Sequence, residues 1–148
     1  MLEITECGQV SAESINRLLC QLSSTCTPIS EGELAEIIAS PNSHLFVLFD
    51  DERAIGMITV ATYQTPTGRK GWIEDVVVDK AYRGHHYGQF MVEKTIDYIR
   101  QIGDTTLMLT SRPQRVTANR LYQKSGFKRK ETNVYRMKIQ VAPPQKNA

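Results

Sequence analysis

Apolar positions along the chain follow two rhythms. In "SAESINRLLCQLS" (11–23), Ile15, Leu18, Leu19 and Leu22 recur at three- and four-residue steps, which predicts a helix with one buried face. Ser11 stands where an N-cap belongs, with Glu13 in the first turn. "SEGELAEIIAS" (30–40) predicts a second helix, with Ser30 and Glu33 spaced as a capping box, and "PN" at 41–42 stops it. The rhythm then changes. "MLEITEC" (1–7), "HLFVLFD" (44–50), "AIGMITVATY" (54–63) and "GWIEDVVVD" (71–79) predict strands, the last three joined by tight turns as an antiparallel meander.

The next stretch, "YRGHHYGQFMVEK" (82–94), breaks a strand of branched residues at an Arg-Gly pair and then becomes a helix, His85 to Ile102. Tyr87, Met91, Thr95, Tyr98 and Ile102 form its stripe, Val92, Ile96 and Ile99 lie beside them, and Gly103 ends it. "TTLMLTS" (105–111) predicts a buried strand. The crossover from 71 to 111 should place Val76 and Leu109 on neighbouring parallel strands. Pro113 suits the first turn of a further helix, "PQRVTANRLYQKS", capped by Gly126. "FKRKETNVYRMKI" (127–139) predicts a closing strand, turn and strand, with "KRK" at 128–130 a solvated strand end balanced by Glu131. One domain over 1–140 and a flexible tail at 141–148, "VAPPQKNA", complete the organisation.

Composition adds exclusions. With 18 basic and 16 acidic residues the chain has no strong field of its own, which argues against nucleic-acid binding despite the basic residues between 112 and 130. No apolar run reaches the ~20 residues of a membrane span. Cys7, Cys20 and Cys26 have no metal-type spacing and read as free thiols, small core residues in a reducing cytoplasm. Adjacent His85 and His86 cannot chelate one ion from one helix face, so no metal is expected.

The chemistry concentrates at the Arg-Gly turn. A helix entrance leaves backbone N–H groups unpaired and carries partial positive charge. Glycines let an anion approach those groups without a Cβ in the way, and an arginine adds a fixed charge with several donors. The stretch can therefore hold a pyrophosphate. It is neither a P-loop nor a Rossmann fingerprint, because both spacings are absent.

"VVVDKAYRGHHYG", followed by a helix, a strand and "ANRLYQKSGFKRKE", resembles the GNAT superfamily of acetyl-CoA-dependent N-acetyltransferases. The loop matches at Arg83, Gly84 and Gly88 and departs at His86, where the family most often has glycine. The later segment matches through Asn119, Leu121, Tyr122, Gly126 and Phe127. The resemblance implies an α/β (α+β) fold with a mixed, mostly antiparallel sheet of six to seven strands, about four helices, and a splay between strands 4 and 5. It implies that the pantetheine arm of acetyl-CoA pairs with Val76, Val77 and Val78. The pyrophosphate would rest on Arg83, Gly84, His85, His86, Tyr87, Gly88 and Gln89. Asn119 and Tyr122 would face the thioester, with Tyr122 as general acid. Glu74, placed on the same strand face as Val76 by strict alternation, with Asp75 facing the other way, is the candidate base.

The implied reaction is acetyl transfer to a primary amine, on a small molecule or a protein, in a ternary complex. The alternative is a non-catalytic acyl-CoA-binding or sensor module of the same fold. The partners implied are acetyl-CoA, an amine and, as in many relatives, a second copy in a homodimer.

Overall fold

The computed structural model describes residues 1–140. Helices α1 (Ala12–Leu22) and α2 (Glu31–Ala39) precede a meander of β2 (Ser43–Asp50), β3 (Arg53–Thr65) and β4 (Gly68–Val78), with the short β1 (Leu2–Glu3) ahead of them. A single 3-10 turn (Lys80–Tyr82) leads to α3 (Tyr87–Ile102), then β5 (Thr105–Leu109) and α4 (Val116–Lys124). The five strands form one sheet in the order β1-β2-β3-β4-β5, antiparallel except for the parallel β4–β5 pair.

Both predicted N-caps form. The Ser11 side chain accepts from Ser14 N–H, and Ser30 and Glu33 close a full capping box. The helices cover opposite faces of the sheet, so the central strands are apolar on both sides and do not alternate with polar residues. Leu18, Leu34, Val47 and Met57 pack under α1 and α2, while Phe46, Ile58, Met91 and Val92 pack under α3. Gly71 lets β4, β5 and α3 close together: a Cβ there would meet Leu107 Cδ1 at 2.9 Å and Thr105 Cγ2 at 3.3 Å.

Several expectations need correction. The sheet has five strands among the described residues, not six or seven, because 127–140 forms no strand. A strand needs a neighbour's N–H and C=O groups, and no other described strand lies along this segment. Pro113 does not open α4. The chain makes a turn first, with Arg115 N–H donating to Arg112 O at 3.0 Å, and helical geometry begins at Val116. Cys20 and Cys26 are joined as a disulfide, with Cα atoms 5.3 Å apart, because the chain turns back after α1 ends at Leu22. Cys7 is free but exposed, so it is no core residue, and the argument from free thiols to a reducing compartment loses its basis. No helix among the described residues is long and apolar enough to cross a membrane. The tail expected at 141–148 lies outside the described residues.

Candidate active site

Near its C-terminal end β4 loses its β5 neighbour and bulges against β3. Its ladder with β5 runs from Arg69↔Thr105 to Ile73↔Leu109 and stops there. On the other side, Thr59 faces Glu74 and Met57 faces Val77, so two residues of β4, Asp75 and Val76, stand against Ile58 alone. This is a bulge, and Asp75 takes the left-handed φ of 53° that opens it. Val76 and Leu109 are thus on neighbouring parallel strands, as expected, but Val76 lies past the last paired rung. The splay implied by the resemblance is this unpaired edge.

The bulge also overturns one geometric inference. Strict alternation puts Glu74 and Val76 on one face; the extra residue separates them. Ile73 and Val76 both pack with the α3 side, and Val77 packs with the α1–α2 side. Glu74 follows Ile73 in regular alternation and faces Thr59's side, toward α1 and α2. It is exposed, and its carboxyl is raised above the ordinary value by partial desolvation and by Asp75, against a hydrogen bond from Trp72. Asp75 is raised by desolvation as well.

Past β4 the chain enters the turn. Asp79 N–H donates to Ile55 O at 2.8 Å, and its buried carboxylate accepts from Ala81 N–H at 3.1 Å, fixing the 3-10 turn. Arg17 and Arg53 both bind that carboxylate, and Arg17 also donates to Ala54 O. Asp79 is held below the ordinary carboxylate range first by the Ala81 N–H and then by the two arginines, against the opposing effect of burial. The Tyr82 hydroxyl donates to Asp50 at 2.9 Å. None of this network was singled out from the sequence. Asp79 and Arg17 are 62 positions apart, and only the folded sheet joins them.

Between Tyr82 N–H, which donates to Asp79 O, and Phe90 N–H, which donates to His86 O, the backbone N–H groups of residues 83–89 find no acceptor among the described residues. Gly84 has φ 85°, and an added Cβ would meet nothing within 4 Å, so the turn needs glycine for its backbone and opens outward. His86 also adopts the left-handed region, φ 61° and ψ 12°, as the N-cap of α3 with no side-chain cap. Glycine would fit there without strain, which explains in physical terms why His86 is the departure from the loop pattern. The His85 ring folds back, its Nδ1 near Arg83 O at 3.1 Å. Arg83 is exposed and donates Nε–H to Val78 O at 3.0 Å, which ties its guanidinium to the end of β4. The Gln89 side chain turns along the helix to Glu93 and leaves only its backbone N–H facing the turn.

Gly88 brings α4 close. A Cβ there would stand 3.1 Å from Leu121 Cδ1 and 3.8 Å from Val78 Cγ2. Val76, Val78, Tyr87, Leu121, Tyr122 and Phe127 therefore share one apolar margin of the α3 core. The Tyr122 ring meets Phe127 edge-on at 6.2 Å between centroids. Its hydroxyl forms no hydrogen bond among the described residues, and burial raises its pKa despite the Arg115 charge nearby. Asn119 is employed differently from expectation: its amide donates to Arg112 O at 3.0 Å and holds the loop before α4.

The predicted set therefore divides. Val76, Val78, the 83–89 turn and Tyr122 come together; Val77 and Glu74 face the other side of β4, and the Asn119 amide is committed to structure. The site is thus an unpaired strand edge running into a helix entrance with free N–H groups, with the Tyr122 ring on the same apolar margin. The sequence profile of the acetyltransferase (GNAT) family matches residues 14–127. The chain belongs to that family.

Solved structures share the fold. Glucosamine-6-phosphate N-acetyltransferase from Arabidopsis thaliana is similar at TM-score 0.71 and 21% identity, covering 86% of this chain and 94% of that one. An aminoglycoside acetyltransferase from an uncultured soil metagenomic sample, in complex with sisomicin, is similar at TM-score 0.75 and 13% identity, covering 88% and 93%. A protein from Bacillus halodurans C-125, described as a transcriptional regulator, is similar at TM-score 0.72 and 25% identity, covering 85% and 92%. No curated protein sequence matches the chain.

Proposed function

We propose that this chain is an acetyl-CoA-dependent N-acetyltransferase acting on a primary amine. The observation that carries the reading is the run of unpaired N–H groups at 83–89, beyond the point where β4 loses its β5 partner. That arrangement fits a pyrophosphate followed by an extended arm with amide groups, the two halves of coenzyme A. Acetyl-CoA supplies an activated acyl group and a thiolate leaving group.

The rest is work for the chain's own residues. The N–H groups from Gly84 to Gln89 and the Arg83 guanidinium neutralise the diphosphate. The backbone of Val76–Val78, open on the side β5 has left, orients the arm, and an N–H on that side suits an oxyanion. Tyr122, kept protonated by burial, gives its proton to the departing sulfur. Glu74 takes a proton from the ammonium. It faces the α1–α2 side, so an amine arriving from there meets the base before it reaches the unpaired edge.

The test combines binding and turnover. Coenzyme A at a hundredfold above its Kd should stabilise the chain by about 2.7 kcal/mol, which is a Tm rise of roughly 5–10 °C for this size. Free thiol should appear when acetyl-CoA is incubated with an effective member of an amine and peptide panel. Tyr122→Phe should keep the Tm rise and lose about 10²–10⁴-fold in turnover. Absence of any shift at saturating coenzyme A rejects the site. A shift without thiol release across the panel turns the conclusion toward the non-catalytic acyl-CoA-binding module.

A further inference from the structure

We infer that Cys20 and Cys26 form a reversible thiol–disulfide site whose oxidation holds the turn ahead of residues 83–89 in place. The bond spans a sequence separation of 6 and joins the last helical turn of α1 to the segment that leads toward α2. Cys20 is exposed and Cys26 half-buried, so an incoming thiolate reaches the Cys20 sulfur first.

What the bond secures follows from how α1 ends. Its last turn carries no basic residue, and its C-cap, Ser23, is extended backbone in place of a left-handed glycine. Neither local device that usually holds a helix end is present. Yet that turn makes two long-range contacts. The Gln21 side chain accepts from Lys80 N–H at 2.7 Å, and Leu22 O accepts from the Arg115 guanidinium at 3.1 Å. One turn earlier, Arg17 binds Asp79 and Ala54 O. The second half of α1 therefore fastens both the 3-10 turn that leads into Arg83 and the N-cap of α4, the helix that carries Tyr122.

The start of α2 is anchored separately. The Asn16 side chain pairs with the N–H and C=O of Ile29, at 2.8 and 2.9 Å. Before Ile29 the side-chain hydrogen bonds of the loop are local, between Ser23 and Thr25, so the disulfide is what ties down the end of α1. Reduction is an exchange with a dithiol. Its thiolate attacks Cys20 Sγ, the Cys20–Cys26 bond breaks, and Cys26 leaves as a thiolate and takes a proton. The dithiol's second sulfur then displaces Cys20. Two electrons enter the protein, two thiols form, and the dithiol becomes a disulfide. The last turn of α1 is then free to fray, and Lys80 N–H loses the acceptor that Gln21 supplied. The switch stands on this geometry; only its consequence, weaker coenzyme A binding by the reduced form, rests on the proposed function.

The experiment uses the full chain, isolated in air without reductant and then treated with dithiothreitol. Iodoacetamide labelling read by mass spectrometry should mark one of the 3 cysteines before treatment and all of them after it. Diamide, a thiol oxidant, should return Cys20 and Cys26 to the unlabelled state. On reduction the Lys80 amide should exchange several-fold faster, and the Kd for coenzyme A should rise about fivefold or more, the low end of ordinary coupling between two sites. Cys20→Ser should match the reduced parent in both measurements and ignore dithiothreitol, while Cys7→Ser should keep the whole response. Full labelling of the untreated chain overturns the inference, as does a Lys80 amide that exchanges equally in both states. A measurable coenzyme A affinity that is the same in both states overturns it too. Coenzyme A that binds neither form, with Lys80 still responding, supports the switch and rejects the acetyl-transfer reading instead.

Discussion

Asp79→Asn tests whether the network at the end of β4 supports the ligand turn. The Asp79 side chain is 4% exposed, while Arg17 and Arg53 are 35% and 55% exposed. Breaking a fully buried ion pair costs about 3–5 kcal/mol, mostly through the charge left behind. Here water reaches both arginines, and asparagine keeps an oxygen for the Ala81 N–H, so the expected loss is lower, about 2 kcal/mol. For a chain of this size that is a fall in Tm of roughly 4–8 °C. Coenzyme A affinity should fall with it, because the Ala81 bond fixes the turn that leads into Arg83.

The pH dependence gives this prediction its sharper edge. The folded-state pKa of Asp79 is depressed, so its ionised form contributes stability that is fully present above the unfolded value of about 3.9. That contribution is lost as pH falls through the lower, folded value. Urea titrations of parent and variant should therefore differ by the full amount at neutral pH and converge in acid below about pH 4. A gap that stays constant from neutral pH into that acid range, or a variant as stable as the parent at neutral pH, would refute the reasoning.

Further predictions follow the same geometry. Gly56→Ala would place a Cβ 3.0 Å from Met91 Sδ and 3.1 Å from the Val77 carbonyl. The methionine can move and the carbonyl cannot, so the variant should lose about 1–3 kcal/mol in thermal or urea unfolding, and an unchanged midpoint would contradict this packing. His86→Gly relieves a left-handed side chain worth about 1–2 kcal/mol but adds unfolded-state freedom worth up to about 1 kcal/mol. It should be neutral to slightly stabilising and keep its coenzyme A-induced Tm rise; loss of that rise would mean the imidazole itself contacts the ligand. Arg83→Glu should abolish most of the rise while leaving the unliganded stability within about 0.5 kcal/mol of the parent, since the residue is exposed.

What the sequence disclosed, and what it withheld, divides by the range of the interaction involved. The capping residues Ser11 and Ser30 act within one turn, and Gly84 shapes the chain locally through its positive φ, so the starts of α1 and α2 and the turn before α3 could be read directly. The apolar runs at 44–50 and 71–79 announced strands, and the fold added that both their faces are covered. The bulge was hidden because Asp75 looks like any polar strand residue until its φ of 53° is known. One extra residue then put Val76 and Glu74 on different faces and changed how Tyr122 and Glu74, the proposed acid and base, are arranged about β4. The arm at 127–139 shows the same limit from the other direction. Its alternation predicts a strand that does not form among the described residues, because pairing is a property of two strands and alternation reports only one of them. The spacing of Tyr135, Met137 and Ile139 is therefore visible in the sequence, while their exposure is visible only in the fold.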